Sequence, residues 1–230
     1  AFLSGAEARQ LILDLAGEWF TDVGREFLMR RMAEEGLGAV RFNTWKHEYI
    51  FQCNQLAWFT PGRMMAALLL ERHWPRARAE TEQAYRDLIE SLNRVILPDG
   101  GYVEGPSYFT CVGRSGGLPL YLYSRARRRP FKALLPRAFR KTAAFAALIA
   151  STDEQKDVIP ICDARDRLDH DTLSVMSAAL PRSEWVGMYR KALRRTGNFP
   201  ESLLACGLEG EIPRRGAEPA PFVRMPVMGP

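Results

Sequence analysis

The sequence lacks any long apolar run. Its longest such stretches, including Met64 to Leu70 and Ala143 to Ala150, fall far short of the roughly 20 residues a spanning helix needs, so membrane insertion is not expected. Nor does a basic stretch, an apolar run and a small-residue cleavage site open the chain, so no signal peptide is visible. A chain running from Ala1 to Pro230 in this way reads as a processed form or a piece of something longer. Histidine is scarce, with three residues, and the four cysteines (Cys53, Cys111, Cys162 and Cys206) include no C-x-x-C pair. That excludes the common zinc and thioredoxin-type motifs. His73 reads as a helix C-terminal residue and His170 as a helix start, neither with a partner at metal-ligand spacing. No metal and no other cofactor is expected. Buried thiols are the default for the cysteines, and a Cys53 to Cys111 disulfide stays open for an oxidising compartment.

What is present is enough apolar residue, 47% of 230, to bury a sizeable core in one large domain or two small ones. The 32 Lys and Arg exceed the 27 Asp and Glu, a net +5 that favours anionic partners. Acidic polysaccharide, nucleic acid and lipopolysaccharide all qualify on charge alone. The densest basic run, Arg125 to Arg129, reads first as a solvated helix end favoured by the macrodipole and second as a binding patch.

The periodicity is helical almost throughout. Leu11, Leu15 and Trp19 recur at helical spacing, followed by Val23, Phe27 and Leu28 after a Thr21-Asp22 cap signal. Lys46 to Arg72 is helical with a break expected at Thr60-Pro61, where a Thr cap and a Pro would restart the helix. Arg76 to Leu97 is the clearest helix, with Ala84, Leu88, Leu92 and Ile96 on one stripe. Leu97-Pro-Asp-Gly-Gly101 is a turn, and Gly105-Pro106 and Gly116-Gly117 predict an irregular loop until Leu118 to Arg127. Helices are expected over Phe131 to Ser151, Asp169 to Ala179 and Ser183 to Arg195, and a short one over Pro200 to Cys206. A short strand around Phe222 to Val227 is the one β-patterned run. The fold class is all-α; helix pairs could stack as a solenoid or close as a toroid, and no repeat period chooses between them.

Two stretches are wrong for a plain helical core. Asn43-Thr-Trp-Lys-His-Glu-Tyr-Ile-Phe-Gln-Cys-Asn-Gln55 mixes aromatics with neutral amides and one His, and Asp99-Gly-Gly-Tyr-Val-Glu-Gly-Pro-Ser-Tyr108 is a glycine-rich loop with Tyr and Glu. Aromatic platforms beside hydrogen-bonding tips suit sugar rings, whose faces are apolar and whose edges carry hydroxyls. Each residue also has a plainer reading: Asn54 as a buried amide bonding helix ends, and Tyr108 as a core aromatic with a satisfied hydroxyl. Trp45 and Tyr102 read equally as sugar platforms or as packing, and Glu104 as a loop brace ahead of a substrate contact. His47, seven residues before Asn54, would share its helix face two turns away.

The Asn43-x-Trp45 and Cys-Asn-Gln55 segment, followed by Asp-Gly-Gly-x-x-Glu-Gly-Pro-x-Tyr108, resembles the heparinase II/III superfamily of polysaccharide lyases. Pro160-Ile-Cys-Asp163 is similar to that family's Pro-x-Gly-Asp turn, with Cys162 in place of glycine. The resemblance covers roughly Phe42 to Asp163, and the Glu-Gly-Pro-x-Tyr loop is its most specific element. It implies an incomplete (α/α) toroid of helical hairpins over residues 1–210, then a linker over 211–230 towards a β-sandwich domain that would supply a catalytic histidine and is not in this sequence. It also implies acidic polysaccharide rather than nucleic acid as partner, and a periplasmic or secreted setting in a bacterium.

Lyases of this kind break the bond at C4 of a uronic acid by removing the proton on C5, which is only weakly acidic while the adjacent carboxylate keeps its charge. A neutral donor on that carboxylate lets negative charge flow into it, as in an oxyanion hole. By resemblance, Asn54 matches the carboxylate-binding Asn, and Gln55 stands where many members carry His, so an amide pair would be the neutraliser. Tyr108 matches the catalytic Tyr, which protonates the leaving O4 and, with a lowered pKa, can take the C5 proton. Asn43, Trp45, His47, Tyr102 and Glu104 would line the substrate. Two other readings stay open: a non-catalytic glycan-binding protein, and a glycoside hydrolase on a similar toroid, which needs a carboxylate pair that Asp99, Glu104 and Asp163 do not convincingly form.

Overall fold

The computed structural model describes residues 12–13, 15–34, 56–102, 104–161, 165–197 and 206–216. Among these the chain is all-α: α1 (Asp22–Met32), α2 (Leu56–His73), α3 (Arg78–Val95), α4 (Gly105–Arg127), α5 (Phe131–Leu134), α6 (Arg137–Ile149), α7 (His170–Ala179) and α8 (Glu184–Thr196). One isolated antiparallel bridge, Ala150 to Val158, is all that stands for β-structure among them. The chain divides into two compact units, Ala1–Ser91 and Leu92–Pro230. The strand expected near Phe222 and most of the short helix expected from Pro200 lie outside the described residues.

In the first unit, α1 starts where the cap signal said: the Thr21 hydroxyl accepts the Gly24 N–H at 3.1 Å. Its apolar stripe is not its buried face, however. Val23 and Phe27 are exposed, as is Trp19 just before the helix, whereas Met29 packs with Leu70 and Ala77, and Met32 with Ala66 and Leu69. The break expected at Thr60-Pro61 is also absent, because α2 runs unbroken from Leu56 to His73. Pro61 removes one backbone hydrogen bond. Residues 62–70 that follow are all buried, and burial on every side outweighs a local breaker. Arg63, buried on α2, bonds Asp87 and lies 3.7 Å from Glu80, both on α3.

In the second unit, the last residues of α3 lead into the turn before α4. The Gly100 N–H bonds the Leu97 carbonyl at 2.8 Å, and the Gly101 N–H bonds Asp99 Oδ1 at 3.1 Å. Gly100 has φ +95°, and a Cβ there would come within 2.3 Å of the Lys141 backbone, so no other residue fits. The loop expected from there to Leu118 is instead the first half of α4, a helix of 23 residues. Its glycines are packing surfaces. A Cβ on Gly113 would lie 2.9 Å from Thr172, one on Gly116 would lie 2.7 Å from Leu92, and one on Gly117 would lie 2.7 Å from Val175. Bare backbone lets α7 lie closely along α4.

Around that contact the core is aromatic. Phe109 of α4 stacks on Trp185 of α8 at 5.2 Å and meets Phe145 of α6 at 5.4 Å. The helix expected over Phe131 to Ser151 is divided into α5 and α6 by Pro136, which stands as the N-cap of α6. The segment after α6 is held by α8. Lys191 donates to the Ser151 and Asp153 carbonyls, and Arg195 grips Asp157 with two bonds of 2.7 and 3.0 Å. The Asp157 side chain is fully buried, and it also accepts the Leu168 N–H at 3.2 Å.

Candidate functional site

Of the residues picked out in the sequence, Tyr102, Glu104 and Tyr108 lie among the described residues; Asn43, Trp45, His47, Asn54 and Gln55 lie outside them. The three that are described occupy the entry to α4. Gly105 takes φ +81°, which L side chains rarely adopt, and Pro106 then sets the helical φ of the first turn. This is the physical content of Glu-Gly-Pro: a sharp entry that brings the fourth helical residue, Tyr108, round to the surface. Tyr108 is 37% exposed.

Tyr102 does the opposite. At 1% exposure it is a core ring, set edge-on to Phe109 at 6.0 Å, and its hydroxyl donates to the Glu104 carboxylate. A sugar platform needs an open face, so the packing reading of Tyr102 replaces the platform reading. Glu104 braces the entry, but by accepting a phenol; it makes no side-chain bond to the helix N–H groups. Asp99 likewise supports its own turn through the Gly101 N–H.

A second anchor holds this entry from a distant segment. The Ser107 hydroxyl accepts the backbone N–H of Arg165, 58 residues away. Ser107 is the variable position of Glu-Gly-Pro-x-Tyr, and Arg165 follows Asp163 by two residues. The fold therefore joins the turn bearing Tyr108 to the segment that follows Pro160-Ile-Cys-Asp163. Compared with family models, with curated proteins and with solved structures, the chain matches none. One turn further on, the Thr172 hydroxyl lies 2.7 Å from Asp169 Oδ2 and 3.1 Å from the Thr110 carbonyl, tying α7 to α4. Burial pushes the Asp169 carboxyl up, partly offset by its hydrogen bonds from Thr172.

Ile159 and Ile161 are exposed on either side of Pro160, as is Arg165, whose backbone meets Ser107. The signal for Ser107 and Arg165 was only their adjacency to two motifs, since a bond across 58 residues has no local trace. Among the described residues no three His, Cys, Asp or Glu side chains are grouped to hold a metal ion, and no helix is long and apolar enough to cross a membrane.

Proposed function

We propose that the chain is the α-helical part of a lyase that cleaves an anionic, uronic-acid-containing polysaccharide by β-elimination, in a bacterial periplasmic or secreted setting. The observation that carries the reading is the state of Tyr108: exposed, and held on a turn that Tyr102, Glu104, Ser107 and Arg165 brace from two directions. In this reading Tyr108 protonates the leaving O4 and accepts the C5 proton. Asn54 and Gln55 neutralise the uronate carboxylate as charge develops on it. The helices form part of an (α/α) toroid, and a β-sandwich domain with a histidine completes the site. The first turn of α4 presents the positive end of the helix dipole, which favours an anionic substrate.

The product tests the reading, because β-elimination leaves an unsaturated uronate that absorbs in the ultraviolet. Incubated with uronic-acid polysaccharides, the full-length protein is expected to build up that absorbance, and Tyr108→Phe to lower its rate by roughly 10²–10⁴-fold, the usual worth of a positioned acid or base. Saturated reducing ends without ultraviolet absorbance would instead indicate a hydrolase. Binding without any turnover would indicate a glycan-binding protein. An unchanged rate in Tyr108→Phe would remove Tyr108 from the chemistry.

A further inference from the structure

About 25 Å along α4 from Tyr108, at the helical rise of 1.5 Å per residue, the helix ends in the basic run Arg125 to Arg129. The backbone there is unusual. Arg128 has φ +51°, the one non-glycine residue with positive φ among those described. It stands where helix ends usually place glycine, and the turn closes with the Arg128 N–H on the Arg125 carbonyl at 3.2 Å and the Arg129 N–H on the Ser124 carbonyl at 2.9 Å. A helix continued through these residues would fan their side chains out at 100° steps. The left-handed residue instead gathers Arg125, Arg128 and Arg129 around a cavity of about 550 Å³, which Tyr121, Phe131 and Glu211 also line.

The three guanidinium groups have no ion pair among the described residues, whereas Arg63, Arg114, Arg190 and Arg195 each face a carboxylate. Three unpaired cations around one cavity would attract a single anion strongly. The opposite wall refines the identity of the ligand. Tyr121 and Phe131 form an edge-to-face pair at 5.6 Å, and Glu211 accepts the Tyr121 hydroxyl. Burial first, and then the Glu211 charge, push the Tyr121 phenol up, so it remains a neutral donor to that carboxylate. A bare inorganic anion would use neither the aromatic wall nor an acceptor. A nucleic-acid backbone would be repelled by Glu211. An acidic sugar uses all three features, with its anionic group on the arginines, hydroxyls on Glu211 and an apolar ring face on the aromatics. The volume is in the range of small-ligand sites.

We propose that this cavity binds one acidic sugar residue of a polysaccharide chain, as a second subsite separate from Tyr108. The proposal rests on the polysaccharide reading for the identity of the chain, though not on its cleavage.

A suitable probe is methyl glucuronoside, which carries no sugar at O4 to eliminate and so reports binding alone. Titrated calorimetrically into the full chain, it is expected to bind in competition with neither methyl glucoside nor single-stranded DNA. Arg125→Gln/Arg129→Gln, both at exposed positions, should weaken it on the order of tenfold, as loss of charge-assisted bonds does. Arg128→Gly removes a guanidinium while suiting the left-handed backbone, so it keeps the turn and should also weaken binding; Glu211→Gln should weaken it several-fold. Undiminished affinity in the arginine variants would overturn the proposal. Equal affinity for inorganic sulfate would reduce the cavity to a bare anion site and overturn it too, as would arginine-dependent displacement of the sugar by DNA. Failure of the lyase test with sugar binding intact leaves this site standing, and the reverse outcome leaves Tyr108 standing.

Discussion

Gly117→Ala tests directly whether α4 is a helix because α7 lies against it. In an exposed helix this change stabilises by up to about 1 kcal/mol, since alanine is the better helix former. Here the new methyl would meet Val175 Cγ2 at 2.7 Å and Cγ1 at 3.1 Å. An ordinary carbon contact is about 3.5–4.0 Å, so roughly 1 Å of room is missing. Val175 is fully buried and β-branched, and with both its methyls close, rotation about χ1 does not clear the space. The helices must separate, and overpacking of that kind costs about 1–3 kcal/mol. Set against the propensity gain, the expected outcome is a net loss of about 1–2 kcal/mol, or a urea midpoint lower by about 0.5–1 M at a typical m-value. Val175→Ala in the same chain removes both methyls, so the double variant should recover at least about 1 kcal/mol relative to additivity. Gly117→Ala raising the midpoint, with no coupling to Val175, would refute the close approach of the two helices.

The other expectations concern buried charge. Arg195→Met leaves the buried Asp157 carboxylate without its ion pair, the Leu168 N–H being its one remaining side-chain hydrogen bond among the described residues, and should cost about 3–5 kcal/mol in urea melts; a loss under about 1 kcal/mol would mean that the pair does not hold the segment after α6. At Asp169, burial raises the folded pKa above the ordinary 3.8, so the native state keeps that proton to higher pH than the unfolded chain. Its contribution to stability is fully present below about pH 3.8 and declines as pH rises through the folded value. Asp169→Asn, which retains an oxygen to accept the Thr172 N–H, should remove that decline from the stability curve, whereas an identical slope would place the titration elsewhere.

Local signals in the sequence were enough wherever backbone preference decided the outcome. Thr21 caps the helix it announced, through the Gly24 N–H, and the helix expected from Asp169 starts there, its carboxylate accepting the Thr172 N–H. Ala84, Leu88, Leu92 and Ile96 are all buried, as their spacing on one stripe required. Pro98 to Gly101 makes the turn its composition demands, because only glycine tolerates the conformation and the close backbone at position 100. Tertiary structure decided the rest. Gly113, Gly116 and Gly117 look like breakers until Thr172, Leu92 and Val175 occupy the space their missing side chains leave, and Pro61 and Pro119 lie inside helices and are followed by buried residues. The two tyrosines of one loop part company for the same reason: Tyr102 fits against Phe109 in the core, while the Gly105 turn, anchored through Ser107 to Arg165, leaves Tyr108 in the open. Periodicity and turn chemistry are carried by adjacent residues; which face is covered depends on side chains tens of positions away, and only the folded chain brings them together.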